Sequence, residues 1–298
     1  MEKSQTNELL GRYLTGAFDL DCRCASSASD RAFDFWDAAE QAVDLGMGGL
    51  VLRDEGYCTA PAAALLAATV FATAPTALHG SVALNDISGG MNFYAAEHTL
   101  ALGGRIVAMP TVSARNHLRK ARWPSMSKME RGATAIDAVD ARGRVSPAAC
   151  EVLEAIAERD GVLDAGALHI SEVLAVFTQA RKLGVQRLLL TDPVRRNDAA
   201  AVDIEEALDL GAAVAFLPQE GGDTGELLDL VLRRAPARLI LGLTVDAALP
   251  LRQRYAAALH FWLSRGLEPS TVVRGILDNP GALLGPEKIA VRRTEMAE

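Results

Sequence analysis

The stretch Asp44-Leu-Gly-Met-Gly-Gly-Leu-Val-Leu-Arg53 decides the fold. Gly46 suits the left-handed cap that ends a helix, and the Gly-Leu-Val-Leu that follows is a short apolar run, as expected of a strand covered on both faces. The same helix-exit phrase recurs at Leu102-Gly-Gly-Arg105, Lys182-Leu-Gly-Val-Gln186 and Asp209-Leu-Gly-Ala-Ala213, each leading into an apolar run. Working outward from these punctuation points predicts strands at 17–22, 49–53, 77–84, 105–109, 161–165, 187–191, 213–217 and 238–243. Helices are predicted at 31–45, 60–73, 93–102, 147–158, 171–183, 204–210, 224–234 and 250–264. Alternating apolar runs and helices imply parallel β-α units, and eight of them suit a (β/α)8 TIM-type barrel. A doubly wound open sheet is the alternative. It would normally carry a glycine-rich phosphate loop after the first strand, whereas Arg23-Cys-Ala-Ser-Ser-Ala-Ser-Asp30 contains no glycine.

The 298 residues are 50% hydrophobic and 23% charged, ample for one large core. The predicted barrel is a single domain over 1–298, with a C-terminal helix and tail over 268–298. A formal charge of −8 argues against a nucleic-acid partner, whose backbone is bound largely by Lys and Arg. Four cysteines make no disulfide scaffold, and the N-terminus lacks a basic-then-apolar leader pattern, so a cytoplasmic location is expected. The uncharged stretch 60–74 is too short for the ~20 apolar residues of a membrane span, so no membrane partner is expected.

One connection stands apart. Residues 110–146 form a long, lid-like insertion after the fourth predicted strand. Its first part holds Arg115, Arg119, Lys120, Arg122, Lys128 and Arg131 against Glu130. Its second part, around Ala141-Arg-Gly-Arg144, alternates like a β-hairpin. Loops longer than ~12–15 residues in a compact domain are usually functional or disordered, so a lid over the barrel mouth and a basic surface loop both remain open.

Read in barrel order, the strand ends carry Phe18-Asp-Leu-Asp21, Gly46-Met-Gly-Gly-Leu-Val-Leu-Arg53, Leu84-Asn-Asp-Ile-Ser-Gly-Gly-Met-Asn92 and Met109-Pro-Thr-Val-Ser-Ala-Arg-Asn-His117, with Asp278-Asn-Pro-Gly-Ala-Leu-Leu-Gly285 near the end. This succession resembles an uncharacterised group within the amidohydrolase-like metal-dependent hydrolases. The resemblance implies a barrel with metal ligands at the strand ends, starting with His-x-His on the first strand, where residues two apart share a face. Here those positions are Asp21 and Arg23. The further histidine positions implied by the family correspond to Ala167 and Asp192, the metal-bridging Lys to Arg53, and the carboxylate after the eighth strand to Asp246. None of the five histidines falls on an implied ligand position.

Two readings follow from the resemblance. In one, Arg23 takes the metal's place, with Asp21 and Asp192 as its charge-assisted partners, and no cofactor is needed. In the other, Asp19, Asp21, Asp192 and Asp246 offer oxygens to Mg²⁺ or Mn²⁺. A guanidinium beside that ion favours the first. Catalytic roles are thus expected for Asp21, Arg23 and Asp192, and substrate contacts for Arg53, Asn85, Asn116, His117 and His169. Asn92 reads better as a helix N-cap. Asp54-Glu55 could supply an acid/base pair, but a solvated ion pair is the plainer reading. Cys22-Arg-Cys24 lacks the second pair of a zinc site, and Cys24 as a nucleophile lacks a neighbouring histidine. Three functions stay open: a diverged enzyme acting on a small polar or anionic molecule without zinc, a Mg- or Mn-dependent hydrolase, and a pseudoenzyme subunit bound to a homologous partner. Homo-oligomers or hetero-oligomers with a homologue are expected.

Overall fold

The computed structural model describes residues 3–24, 33–122, 126–219, 224–243 and 249–285. The strands are β1 (Phe18–Arg23), β2 (Gly49–Arg53), β3 (Ala77–His79), β4 (Ser81–Ala83), β5 (Ile106–Ala108), β6 (Val162–Asp164), β7 (Arg187–Thr191), β8 (Ala213–Phe216) and β9 (Leu239–Leu241). Consecutive strands pair in parallel, in the orders β1-β2-β3 and β4 through β9. This is the α/β, TIM-type architecture expected from the sequence, with the third barrel strand split into β3 and β4.

The split has a local cause. A Cβ on Gly80 would lie 2.3 Å from Ala60 Cα and 2.4 Å from Ala60 N. Only glycine lets the start of the preceding helix approach so closely. Thr59 then replaces the missing ladder: its Oγ1 accepts from Ser81 N at 2.8 Å and donates to Leu52 O at 2.7 Å.

The helices before the insertion are α1 (Lys3–Leu14), α2 (Phe35–Asp44), α3 (Ala60–Ala68) and α4 (Phe93–Ala101). The insertion holds α5 (Arg115–Lys120) and α6 (Lys128–Gly132). Then follow α7 (Pro147–Glu158), α8 (Ile170–Lys182), α9 (Pro193–Asn197), α10 (Ala201–Asp209), α11 (Thr224–Arg234), α12 (Leu251–Ser264), α13 (Pro269–Val273) and α14 (Asn279–Leu284). The sequence reading did not anticipate α1. No described helix is long and apolar enough to cross a membrane.

Strand alternation sorts apolar side chains into two cores. Leu50 and Leu52 face outward to the helices, whereas Leu20, Val51, Ile106, Val162, Leu189, Ala215 and Ile240 fill the lumen. Leu283 and Leu284 of α14 join the luminal cluster from the N-terminal end of the strands. They are held there by Arg105, which donates to Leu284 O, and by Arg187, which donates to Ala282 O at 3.1 Å and Leu283 O at 3.0 Å. Cations that bind the last carbonyls of a helix also complement its dipole. With one end plugged by leucine and pinned by arginine, the polar strand ends at the opposite rim define the site.

The insertion carries the hairpin expected in its second part as a single antiparallel bridge around the Ala141-Arg-Gly turn. Besides α5 and α6 it shows isolated bridges, Val139 with Val145 antiparallel and Ala114 with Ile136 parallel. The tight turn is built by Asp140, whose carboxylate accepts from Arg142 N and Arg144 N and leaves little length for strands. The insertion reaches several rim loops: Thr134 N donates to Asp86 after β4, Ala138 N to Glu172 after β6, and Lys120 Nζ to Asp198 after β7.

Candidate functional site

β1 sets the centre of the rim. Its register shifts between Asp19 and Cys22, an irregularity that re-aims side chains. Asp19 and Asp21 line a luminal cavity together with Arg53, Thr191 and residues of β8 and β9. Its volume is about 20 Å³, enough for one water and no larger ligand. A larger molecule would have to bind above it, in the mouth.

Asp21 is ringed by guanidinium groups. Its Oδ1 accepts from Arg23 Nε at 2.8 Å and lies 3.7 Å from Arg53 Nε, while Oδ2 accepts from Arg196 at 3.2 Å. Burial opposes its ionisation, but Arg23, Arg196 and Arg53 overcome that and bring its pKa down to about 2. Asp19, two residues earlier, shows the reverse. Burial lifts it to about 6, against hydrogen bonds from Asp21 N at 3.0 Å and Tyr255 Oη at 3.1 Å. Two adjacent carboxylates with proton affinities pushed apart are the usual basis of an acid/base division of labour.

Arg53 is buried and multiply held. It donates through Nε to Leu20 O at 2.8 Å and pairs through Nη1 with the fully buried Asp164 at 2.7 Å. Asp164 in turn accepts from Gly166 N at 3.0 Å and Thr191 Oγ1 at 3.2 Å. Yet Arg53 Nη2 and Arg196 Nη1 are buried donors that meet no acceptor among the described residues. Such groups are rare in native proteins, and each calls for an explanation.

Arg196 sits on α9, a single short turn bounded by two non-glycine residues in the left-handed region, Asp192 at φ 52° and Asp198 at φ 58°. Conformations of this kind cost on the order of 1–3 kcal/mol and cluster at functional sites. Asp192 is not a partner of Arg23, as the sequence suggested. The turn directs its carboxylate to Arg195, which donates from Nε at 3.2 Å and also from Nη2. The partner of Arg23 on its far side is Glu55, which also accepts from Thr111 Oγ1.

The remaining expected contacts are dispersed. Asn85 is fully buried and braces the rim: its Oδ1 accepts from Thr111 N and Ser113 N, and its Nδ2 donates to Thr111 Oγ1 and Glu55 O. Asn116 donates to Arg196 O at 2.9 Å, so it holds the α9 turn. His117 lies 2.5 Å from Glu130 within the insertion, and the exposed His169 caps α8 by accepting from Ser171 N. Helix geometry thus turns each histidine toward a local partner and away from the role in ligand contact that the sequence suggested. Asn92 caps α4, as its sequence context suggested. Cys22 and Cys24 lie with Sγ atoms 3.8 Å apart in the outer core, and the Cys22 thiol is pushed up by its hydrogen bond to Cys24 and by burial. That disfavours the thiolate form of Cys22. Asp246 lies outside the described residues.

Sequence reasoning passed over Asp164, Arg196, Thr111 and Tyr255. Asp164 had a visible signal, a lone carboxylate closing the apolar run Gly161-Val-Leu. Arg196 followed Thr191-Asp192-Pro193, but nothing local told which of two adjacent arginines turns inward. Among the described residues no group of three His, Cys, Asp or Glu side chains has an arrangement that could hold a metal.

The match to known proteins agrees with this architecture. No curated protein matches the sequence. Solved structures that superpose on the chain include an amidohydrolase from Pseudomonas aeruginosa, with a TM-score of 0.57 at 12% identity over 94% of this chain and 98% of that one. They also include a mutant of the organophosphorus hydrolase from Deinococcus radiodurans, with a TM-score of 0.50 at 14% identity over 92% and 94%. A mutant PTE-like lactonase from Deinococcus radiodurans likewise scores 0.50 at 14% identity over 91% and 96%. Identities this low establish a shared fold, the amidohydrolase-like barrel, and leave chemistry to the site. Residues 16–215 match the model of a family of unknown function, DUF6282. That span takes in the strands from β1 into β8, with Asp21, Arg23, Arg53, Asp164 and Arg196 on it, and the chain therefore belongs to the DUF6282 family.

Proposed function

We propose that the mouth of this barrel binds and turns over a small anionic molecule through its own guanidinium and carboxylate groups, in place of the metal centre of amidohydrolase-like enzymes. The observation that carries this reading is the pair of buried, unsatisfied donors, Arg53 Nη2 and Arg196 Nη1, on arginines that both contact Asp21. Two such groups on one carboxylate suit an anionic acceptor. The strained ends of α9 support the same reading, because they fix the backbone that carries Arg196.

The donor set does not fit a divalent ion. Its nearest oxygens belong to Asp21, which three arginines already engage, and unit charges 4 Å apart repel by about 4 kcal/mol at an effective dielectric of 20. Asp19 is engaged by Tyr255 and Asp192 by Arg195, so the carboxylates do not converge. In this reading Asp21 is a fixed anion that orients arginines. Asp19 is the group able to exchange a proton near neutral pH, and Arg23 and Arg53 orient the ligand. The insertion, tied to the loops after β4, β6 and β7, serves as the lid.

The test is calorimetric titration of the purified protein with inorganic phosphate and acetate, alongside metal analysis. Wild type is expected to bind at least one of them. Arg196→Ala should lose about tenfold or more in affinity, since a hydrogen bond to a charged group contributes ~1.5–3 kcal/mol and 1.4 kcal/mol is a factor of ten. Tightly bound stoichiometric zinc, magnesium or manganese, or no anion binding at all, would sink the reading.

A second reading, association with another copy or a homologue, is favoured by the face around α3. The thirty residues from Gly56 to Asn85 contain no Asp, Glu, Lys or Arg. Leu65 is 64% exposed, Val70 45% and Trp36 46%. An apolar helix exposed on its outer side normally belongs in a core or an interface. For a chain of net charge −8, an uncharged face is where a second copy meets least repulsion. Light scattering of wild type should give a dimer mass and Leu65→Asp a monomer; a monomeric wild type at tens of micromolar would remove this reading.

A further inference from the structure

The surroundings of Glu55 point to the class of ligand. Glu55 belongs to the bend that follows β2, whereas the groups that receive it come from other rim segments. Arg23 on β1 pairs with its Oε1, and Thr111, after β5, donates its hydroxyl to Oε2. Asn85, after β4, lies with Nδ2 3.4 Å from Oε2 and 2.8 Å from Thr111 Oγ1. One guanidinium, one hydroxyl and one amide therefore converge on a carboxylate from three separate segments. Thr111 and Asn85 are buried, and Asn85 Oδ1 is fixed by Thr111 N at 2.8 Å and Ser113 N at 3.1 Å. The cradle is thus held in part by contacts other than those to its occupant. The occupant sits on a bend with Gly56 next to it, and its backbone Glu55 O accepts from Asn85 Nδ2 at 2.9 Å.

Arg23 joins this cradle to the cluster around Asp21. Its Nε is held by Asp21 Oδ1 at 2.8 Å while Nη1 faces Glu55. Arg53 and Arg196 also contact Asp21, and their Nη2 and Nη1 are the donors that lack an acceptor among the described residues. The rim thus has two anion-receiving points around one fixed carboxylate. One has buried donors that lack an acceptor among the described residues, and the other is filled by a side chain of the protein.

We infer that Glu55 is a tethered stand-in for one end of the ligand, and that the site takes short dicarboxylates, whose second carboxylate displaces Glu55 from Arg23, Thr111 and Asn85. This deepens the anion-binding reading above and rests on it. Glu55 thereby sets selectivity. A monoanion meets the Arg53 and Arg196 point alone, while a molecule with two carboxylates competes with Glu55 for the second. Burial opposes ionisation of Glu55, but Arg23 and the Thr111 hydrogen bond hold it in the charged form, so it competes as a carboxylate at neutral pH.

The experiment compares affinities for acetate, malonate, succinate and glutarate in wild type, Glu55→Gln and Glu55→Gln/Thr111→Val, by calorimetry at constant ionic strength. Loss of the Glu55 charge should raise the preference of at least one dicarboxylate over acetate about tenfold, the change expected for one charge-assisted hydrogen-bonded contact. Adding Thr111→Val should cancel most of that gain. An unchanged preference in Glu55→Gln, or a gain that survives Thr111→Val, overturns the proposal while leaving anion binding at Arg53 and Arg196 intact. Absence of binding for every anion in every variant instead removes the underlying reading, and this proposal with it. Should Glu55→Gln fail to fold, Glu55→Asp retains the charge but shortens its reach to Arg23; it must show a smaller gain in the same direction, and no gain there also overturns the proposal.

Discussion

Arg53→Ala is expected to destabilise the protein by about 3–5 kcal/mol, the usual cost of removing one partner from a buried ion pair. Asp164 is fully buried and Arg53 is its cationic partner at 2.7 Å. Without Arg53, its remaining partners among the described residues are the neutral Gly166 N and Thr191 Oγ1. The same substitution removes the donor to Leu20 O and one of the cations around Asp21. Asp164→Asn in the Arg53→Ala background should recover part of the loss, because the stranded charge is then gone. Urea denaturation of the two single variants and the double variant measures the coupling. Losses that simply add would show that Asp164 does not depend on Arg53.

Asp19→Asn is expected to act in the opposite direction. The folded protein raises this carboxyl from its ordinary value of 3.8 to about 6, mainly through burial. The native state therefore binds the proton more tightly than the unfolded chain. Stability contributed by Asp19 is complete below pH 4, declines as pH rises toward 6, and stays at its lower level above that. At 1.36 kcal/mol per pKa unit the cost at pH 7 is about 3 kcal/mol. The neutral amide of the variant would carry no such cost, and the Tyr255 hydroxyl can rotate to accept from it. The variant should thus be more stable than wild type at pH 7, with the decline between pH 4 and 6 abolished. Asp21 has the other sign: its lowered pKa stabilises above pH 4, an effect lost as pH falls toward 2. Thermal denaturation of wild type and Asp19→Asn from pH 3 to 8 separates the two. A variant less stable at pH 7 with the same slope from pH 4 to 6 would refute the assignment. A carboxylate kept at a cost to stability is what a proton-exchanging role predicts.

The same contrast between neighbouring carboxylates marks what can be read from sequence. Asp19 and Asp21 are two residues apart on one strand, and both were visible as polar residues closing an apolar run. Their opposite proton affinities were not, because those depend on Arg196, Arg53 and Tyr255, which are distant in sequence. Asp192 is instructive in another way. Its position after β7 was correctly placed, but a left-handed backbone turned its carboxylate toward Arg195. His117 and His169 drew attention as rare residues, yet each found a partner or cap within its own segment.

Periodicity and punctuation in the sequence determined the parallel β-α order and the positions of the strand ends. Those features are encoded by neighbours a few residues apart, through helix caps, apolar runs and side-chain alternation. Only the tertiary structure decided which charges meet. It joined Arg53 to Asp164, Arg196 to Asp21 and Glu55 to Arg23, broke the third strand at Gly80, and seated α14 as the plug. Electrostatic partners and close backbone approaches are set by distances between segments far apart in the chain, and closing the strands around a common lumen is what brings those segments together.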